Sequence, residues 1–135
     1  MDRRRFVVTM GSALAAPLVR AQAAPYRIAL YPDMAPNVRA ALSASIREMG
    51  WVEKRDVSVV ESGFQYGGPQ AEQAAKRVAA SRPDLIITTN SAYTLTMHQA
   101  TATIPIVMWA SGYPVEVGLA QSLARPGKNV TGNSL

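Results

Sequence analysis

This sequence predicts an α/β fold, a doubly wound parallel sheet flanked by helices on both faces. Three observations carry the prediction. Short runs of β-forming residues alternate with segments of helical spacing, in the order β-α-β-α-β-α-β-α. The third β-like run, Asp84-Leu85-Ile86-Ile87-Thr88-Thr89, is continuously apolar at its centre, as in strands covered on both sides. Right-handed crossovers between such strands place helices on both faces. With 135 residues and 48% hydrophobic content, one globular domain is expected.

The first strand is Arg27-Ile28-Ala29-Leu30-Tyr31, ended by Pro32-Asp33. A helix then begins at Pro36, where Val38, Leu42, Ile46 and Met49 recur at helical spacing. Arg39, Ser43 and Arg47 lie on its other face, and Gly50 closes it. Asp56-Val57-Ser58-Val59-Val60-Glu61 is a β-branched second strand, followed by a loop over 63–69 containing Gly67-Gly68. The segment 70–81 returns to helix, with the small residues Ala71, Ala74, Ala75 and Val78 on one face, and Pro83 stops it. After the third strand come a helix over 91–101, a fourth strand over 104–109, and a helix over 115–123 that aligns Val115, Leu119 and Leu123. A fifth strand starts at Val130.

The formal charge of +5 raises the possibility of a nucleic-acid partner, but Arg3, Arg4, Arg5 and Arg20 against Asp2 put +3 of it in the first 23 residues. Elsewhere the basic residues are scattered, with no aromatic-basic stripe, so no nucleic-acid partner is expected. The basic start, the apolar and small-residue stretch 6–19 and Ala21-Gln22-Ala23 form the three regions of an export signal. Arg3-Arg4-Arg5-Phe6 resembles a twin-arginine signal, as does Arg20 near the cleavage site. Residues 1–23 are therefore expected to be a leader and 24–135 the α/β lobe. The chain has no cysteine, which removes disulfides, thiol nucleophiles and a lipid-modified N-terminus, and favours a soluble periplasmic product.

Catalytic patterns are scarce. His98 is the only histidine and lies mid-helix without an acidic neighbour, so no histidine-based metal site and no catalytic residue is expected. No G-x-G-x-x-G follows the first strand and no phosphate-binding P-loop is present, so no cofactor is implied. In a doubly wound sheet, ligands bind outside the carboxyl ends of the strands. Four loops meet there: Tyr31-Pro32-Asp33, 63–68, Asn90-Ser91-Ala92-Tyr93 and 110–114. Asn90 or Ser91 would cap the third helix, whose free N–H groups and a serine hydroxyl suit a carboxylate. Tyr31, Tyr66, Tyr93 and Trp109 could supply flat apolar surface beside it. The plainer readings are that Asn90-Ser91 is only a cap and Trp109 only core.

Several stretches resemble the substrate-binding proteins of ABC transporters with the type I periplasmic-binding-protein fold, in the group that includes aromatic-amino-acid binders. They are Ile104-Pro105-Ile106-Val107, Pro114-Val115, Gly118-Leu119-Ala120 and above all Ser122-Leu123-Ala124-Arg125-Pro126-Gly127, continuing after Lys128 as Asn129-Val130-Thr131-Gly132. Arg3-Arg4-Arg5-Phe6, Met49-Gly50-Trp51-Val52-Glu53 and Pro83-Asp84-Leu85-Ile86 fit the same group. The resemblance implies that a second lobe follows Gly132, that a small carboxylate such as an amino acid is trapped between lobes, and that an ABC permease of the inner membrane is the partner. It places ligand contacts on Tyr31 and Pro32, on Asn90, Ser91, Ala92 and the neighbouring Tyr93, and on the turn from Ser111 and Gly112 to Pro114. This chain departs from the family at Asn90-Ser91-Ala92-Tyr93, where a small residue followed by Thr-Pro-Ala is commoner, and at Tyr113, where Asp is usual. The alternatives are a stand-alone exported sensory domain or enzyme, or a fragment without ligand activity.

Overall fold

The computed structural model describes residues 23–65 and 69–134. The leader, Tyr66 and Gly67-Gly68 lie outside the described residues, apart from Ala23. The elements run β1 Tyr26–Tyr31, α1 Pro36–Glu48, β2 Val57–Glu61, α2 Ala71–Ala80, β3 Leu85–Thr88, α3 Ser91–Ala100, β4 Ile106–Ser111 and β5 Val130–Ser134. All neighbouring strands are parallel, in the order β2-β1-β3-β4-β5. The expected doubly wound α/β sheet is what forms.

Each buried strand divides its side chains between two faces, as the pleat requires. Ala29, Tyr31, Ile86, Ile106 and Met108 join Ala74, Ala75 and Val78 of α2 and Met97 of α3 in one core. Leu30, Val57 and Ile87 join Leu42 and Ile46 of α1 in the other. Ala74 and Ala75 of α2 are fully buried, and their small size brings that helix close to the sheet. Pro36 opens α1, and Gly50 beyond its end takes φ 85°, the left-handed conformation of a helix stop. On its outer face, Arg39 and Ser43 both bond Glu53, drawing that carboxyl below the usual carboxylate range.

The helix expected over 115–123 does not form. Gly118 N–H donates to the Val115 carbonyl and Leu119 N–H to the Pro114 carbonyl, after which the Gln121 and Ser122 N–H groups donate to the Pro126 and Arg125 carbonyls. Gly118 sits at φ 78°, outside the helical region, and the chain turns instead of winding. Of the three aligned residues only Leu119 is buried, while Val115 and Leu123 are exposed. A four-residue spacing is shared by helices and by successive turns that each bury one side chain, which is why the pattern misled. Trp109 also departs from the core reading: it is 46% exposed, on the face opposite Met108.

Candidate functional site

β1 and β3 are neighbours whose outgoing connections lead to opposite sides of the sheet, so the crevice of this fold opens between their carboxyl ends. Around it stand the turn after Tyr31, the residues Thr89 and Asn90 after β3, and the end of β4 at Ser111. The Tyr31–Pro32 peptide is cis. Asp33 binds this turn to the one after β2: its N–H donates to the Phe64 carbonyl at 2.8 Å, and its carboxylate accepts from Ser62 Oγ and the Gly63 N–H.

Tyr31, Phe64 and Tyr93 form a mutual aromatic cluster. Tyr31 stacks on Phe64 at 5.6 Å between ring centroids, and Tyr93 meets both edge-on at 5.8 and 5.7 Å. Tyr31 is wholly buried, and its hydroxyl donates to the Ala71 carbonyl at 2.7 Å. Burial, helped by the charges of Tyr93 and Glu72, pushes its phenol up to about 12. Tyr31 and Pro32, expected at the ligand, are both buried in this lobe, and the Tyr31 ring lies beneath the crevice. Tyr93 is only half-buried.

Asn90, not Ser91, caps α3, its Oδ1 accepting from Tyr93 N–H at 3.0 Å. The Thr94 N–H takes the Asn90 carbonyl, and the Thr94 hydroxyl reinforces that acceptor while bonding Thr88 at 2.6 Å inside the core. The N–H groups of Ser91 and Ala92 are then the first-turn donors without an intrahelical acceptor. The Ser91 hydroxyl is already engaged, 2.6 Å from Ser111 Oγ and 2.8 Å from the Gly112 carbonyl. Through these bonds it ties the start of α3 to the end of β4. Ser111 is fully buried and serves the same tie. Ser91→Ala would strand the Ser111 hydroxyl without this partner, an expected loss of about 1–3 kcal/mol readable in urea unfolding. An unchanged midpoint would show that the pair contributes nothing.

Thr89 was not singled out by sequence reasoning. Its hydroxyl oxygen is shut away from water with no hydrogen-bond partner among the described residues. Such an orphan is uncommon and needs a reason. Its position at the end of a strand, one residue before a helix cap, is the only sequence signal that could have marked it. His98 lies away from the crevice, its Nδ1 2.9 Å from Asn129 Oδ1, while Asn129 Nδ2 donates to the Thr101 and Ile104 carbonyls and so holds the entry to β5. Among the described residues no three His, Cys, Asp or Glu side chains gather to hold a metal ion, and no helix is long and apolar enough to cross a membrane.

A switch-point crevice with a capped helix at its mouth is the place where an open α/β sheet of this kind presents its ligand-facing loops. The chain belongs to the ABC transporter substrate binding protein family, whose model matches residues 46–134. It is 30% identical over 90 residues to a tyrosine-binding protein of Clostridioides difficile, covering 67% of this chain and 26% of that one. Among solved structures it resembles a conserved domain protein of Vibrio cholerae (TM-score 0.68, 29% identity) over 82% of this chain and 38% of that one. The ABC domain of Streptococcus pneumonia in complex with L-Trp (TM-score 0.65, 22% identity) shares the fold over 82% of this chain and 39% of its own. The chain thus spans well under half the length of these relatives, and the part it shares with them is one α/β lobe.

Proposed function

We propose that this lobe forms one wall of a cleft that captures a small carboxylate-bearing molecule, an amino acid in particular, for an ABC-type uptake system. The observation that carries the reading is the α3 N-terminus at the β1/β3 crevice, where the Ser91 and Ala92 N–H groups have no intrahelical acceptor and the buried, unpartnered Thr89 hydroxyl immediately precedes the Asn90 cap in sequence. Backbone N–H groups at a helix start, with the positive end of its dipole, favour a carboxylate. The half-buried Tyr93 supplies apolar surface next to them. The tyrosine-binding relative supports the amino-acid class.

In this reading a second lobe closes over the crevice and a permease receives the ligand. Residues 1–23 direct the chain to the periplasm and are removed before Ala24, which N-terminal sequencing of the exported protein checks. The competing reading as an enzyme finds no histidine at the crevice: His98, the one histidine of the chain, lies away from it and is bonded to Asn129.

The test is an NMR titration of the chain with L-tyrosine and with tyrosinamide, which lacks the carboxylate. L-tyrosine is expected to shift the Ser91 and Ala92 amide signals saturably, with tyrosinamide roughly tenfold weaker. Thr89→Val, nearly the same shape without the hydroxyl, is expected to weaken L-tyrosine by about 1.4 kcal/mol, another tenfold. Equal binding of acid and amide, or no response at these amides, would sink the carboxylate site.

A further inference from the structure

At the opposite end of the sheet, where β1, β2 and β3 begin, Tyr26, Ile28, Ile46, Met49, Trp51 and Leu85 line a groove of about 410 Å³. Tyr26 and Met49 are 60% and 68% exposed and Trp51 is 41% exposed, three large apolar side chains gathered at one spot. Nothing in the binding reading uses them, and exposed apolar patches of this kind mark contact sites. A second recess adjoins the groove through Tyr26 and Trp51 and extends to Ala23 and Ala24.

We infer that this groove seats the chain's own apolar run, residues 6–19, for as long as the leader remains attached; the inference rests on the leader reading proposed above. The geometry of attachment favours it. Only Arg20, Ala21 and Gln22 separate the run from Ala23, which already lies on the recess, and the four steps from Val19 to Ala23 span at most about 14 Å. A segment tethered so closely meets the groove at an effective concentration of order millimolar, so a weak intrinsic affinity suffices. Charge agrees as well: the one charged side chain lining the groove is Asp84, and the leader carries Arg3, Arg4, Arg5 and Arg20 against Asp2. The run covers Met49 and Trp51 before export, and removal of the leader uncovers them. The folded lobe is then a device that shields its own hydrophobic signal until something with higher affinity draws it away.

The experiment uses the full, uncleaved chain carrying Trp109→Phe, so that Trp51 is the only tryptophan. Its emission is compared with that of two further versions, one with Leu14→Asp and Leu18→Asp in the leader, the other with Met49→Glu on the groove rim. Each is expected to shift Trp51 emission to the red and to raise its quenching by iodide, with far-UV circular dichroism unchanged. Combining them is expected to add nothing, since each already empties the groove. The leader substitutions lie outside the folded lobe, so they carry the test even where Met49→Glu harms folding. Identical emission from all versions overturns the inference, and so does a shift that depends on protein concentration, which would put a second copy in the groove. Because the leader is still attached throughout, these outcomes are independent of whether export removes it.

Discussion

Replacing Tyr31 by alanine is expected to remove about 3–5 kcal/mol of stability, enough to threaten folding of a domain this size. The side chain is fully buried between the sheet and α2, stacked on Phe64, edge-on to Tyr93 and bonded through its hydroxyl to Ala71. Its loss leaves a cavity under the crevice as well as two rings without their neighbour. Tyr31→Phe keeps the ring and loses only the bond to Ala71, so it is expected to cost about 0.5–1.5 kcal/mol. The phenol also imposes a pH dependence. Unfolded, it ionises near its ordinary value of 10; folded, it ionises near 12, because burial disfavours the phenolate. Below pH 10 both states hold the proton and the full contribution is present. Between 10 and 12 the unfolded state binds fewer protons, so stability falls as pH rises through this window. Thermal melts across pH 9 to 12 should show the decline in the wild-type chain and a shallower one in Tyr31→Phe. Parallel declines would mean that other groups cause it.

The sheet was legible in the sequence because its strands are covered on both faces, which forces continuous apolar runs such as Leu85-Ile86-Ile87 that no exposed loop would carry. Helix α1 was legible from Pro36 and Gly50, whose backbone preferences act locally and survive any packing. What failed depends on tertiary contacts. Whether Val115, Leu119 and Leu123 share a helix face or a set of turns is decided by Gly118 and by bonds running back from Pro126 and Arg125, which spacing does not encode. The site divided in the same way. Asn90 as a cap followed from residue type and position, whereas the burial of Tyr31 and the engagement of Ser91 with Ser111 depend on neighbours 40 and 20 residues away. The Thr89 orphan is a property of what surrounds the hydroxyl, and its place between a strand end and a helix cap was the only trace of it in the sequence.

Gly132→Ala is expected to detach β5 from the sheet. Gly132 faces Met108 in the parallel register, at φ 135°, a backbone region that side-chain-bearing residues rarely enter. A methyl group there would fall on the Met108 carbonyl oxygen and 2.7 Å from its amide nitrogen, both of them backbone atoms that cannot swing aside. Strain and overpacking together come to roughly 2–5 kcal/mol, more than one edge strand of five residues easily withstands. The strand has a cheaper escape than global unfolding, because β5 lies at the sheet edge and only β4 holds it. The expected result is therefore local: hydrogen exchange speeds up along Val130–Ser134 and at the β4 amides, while β1 and β2 keep their protection. Gly118→Ala provides the comparison, since Gly118 also has positive φ but open space around its missing Cβ, and only the conformational strain of order 1 kcal/mol remains. Equal effects of the two substitutions would show that backbone conformation alone sets the requirement for glycine. A larger effect at 132, confined to β5, would show that the glycine at the end of Asn129-Val130-Thr131-Gly132 lets two parallel strands approach at the edge where the proposed second lobe begins.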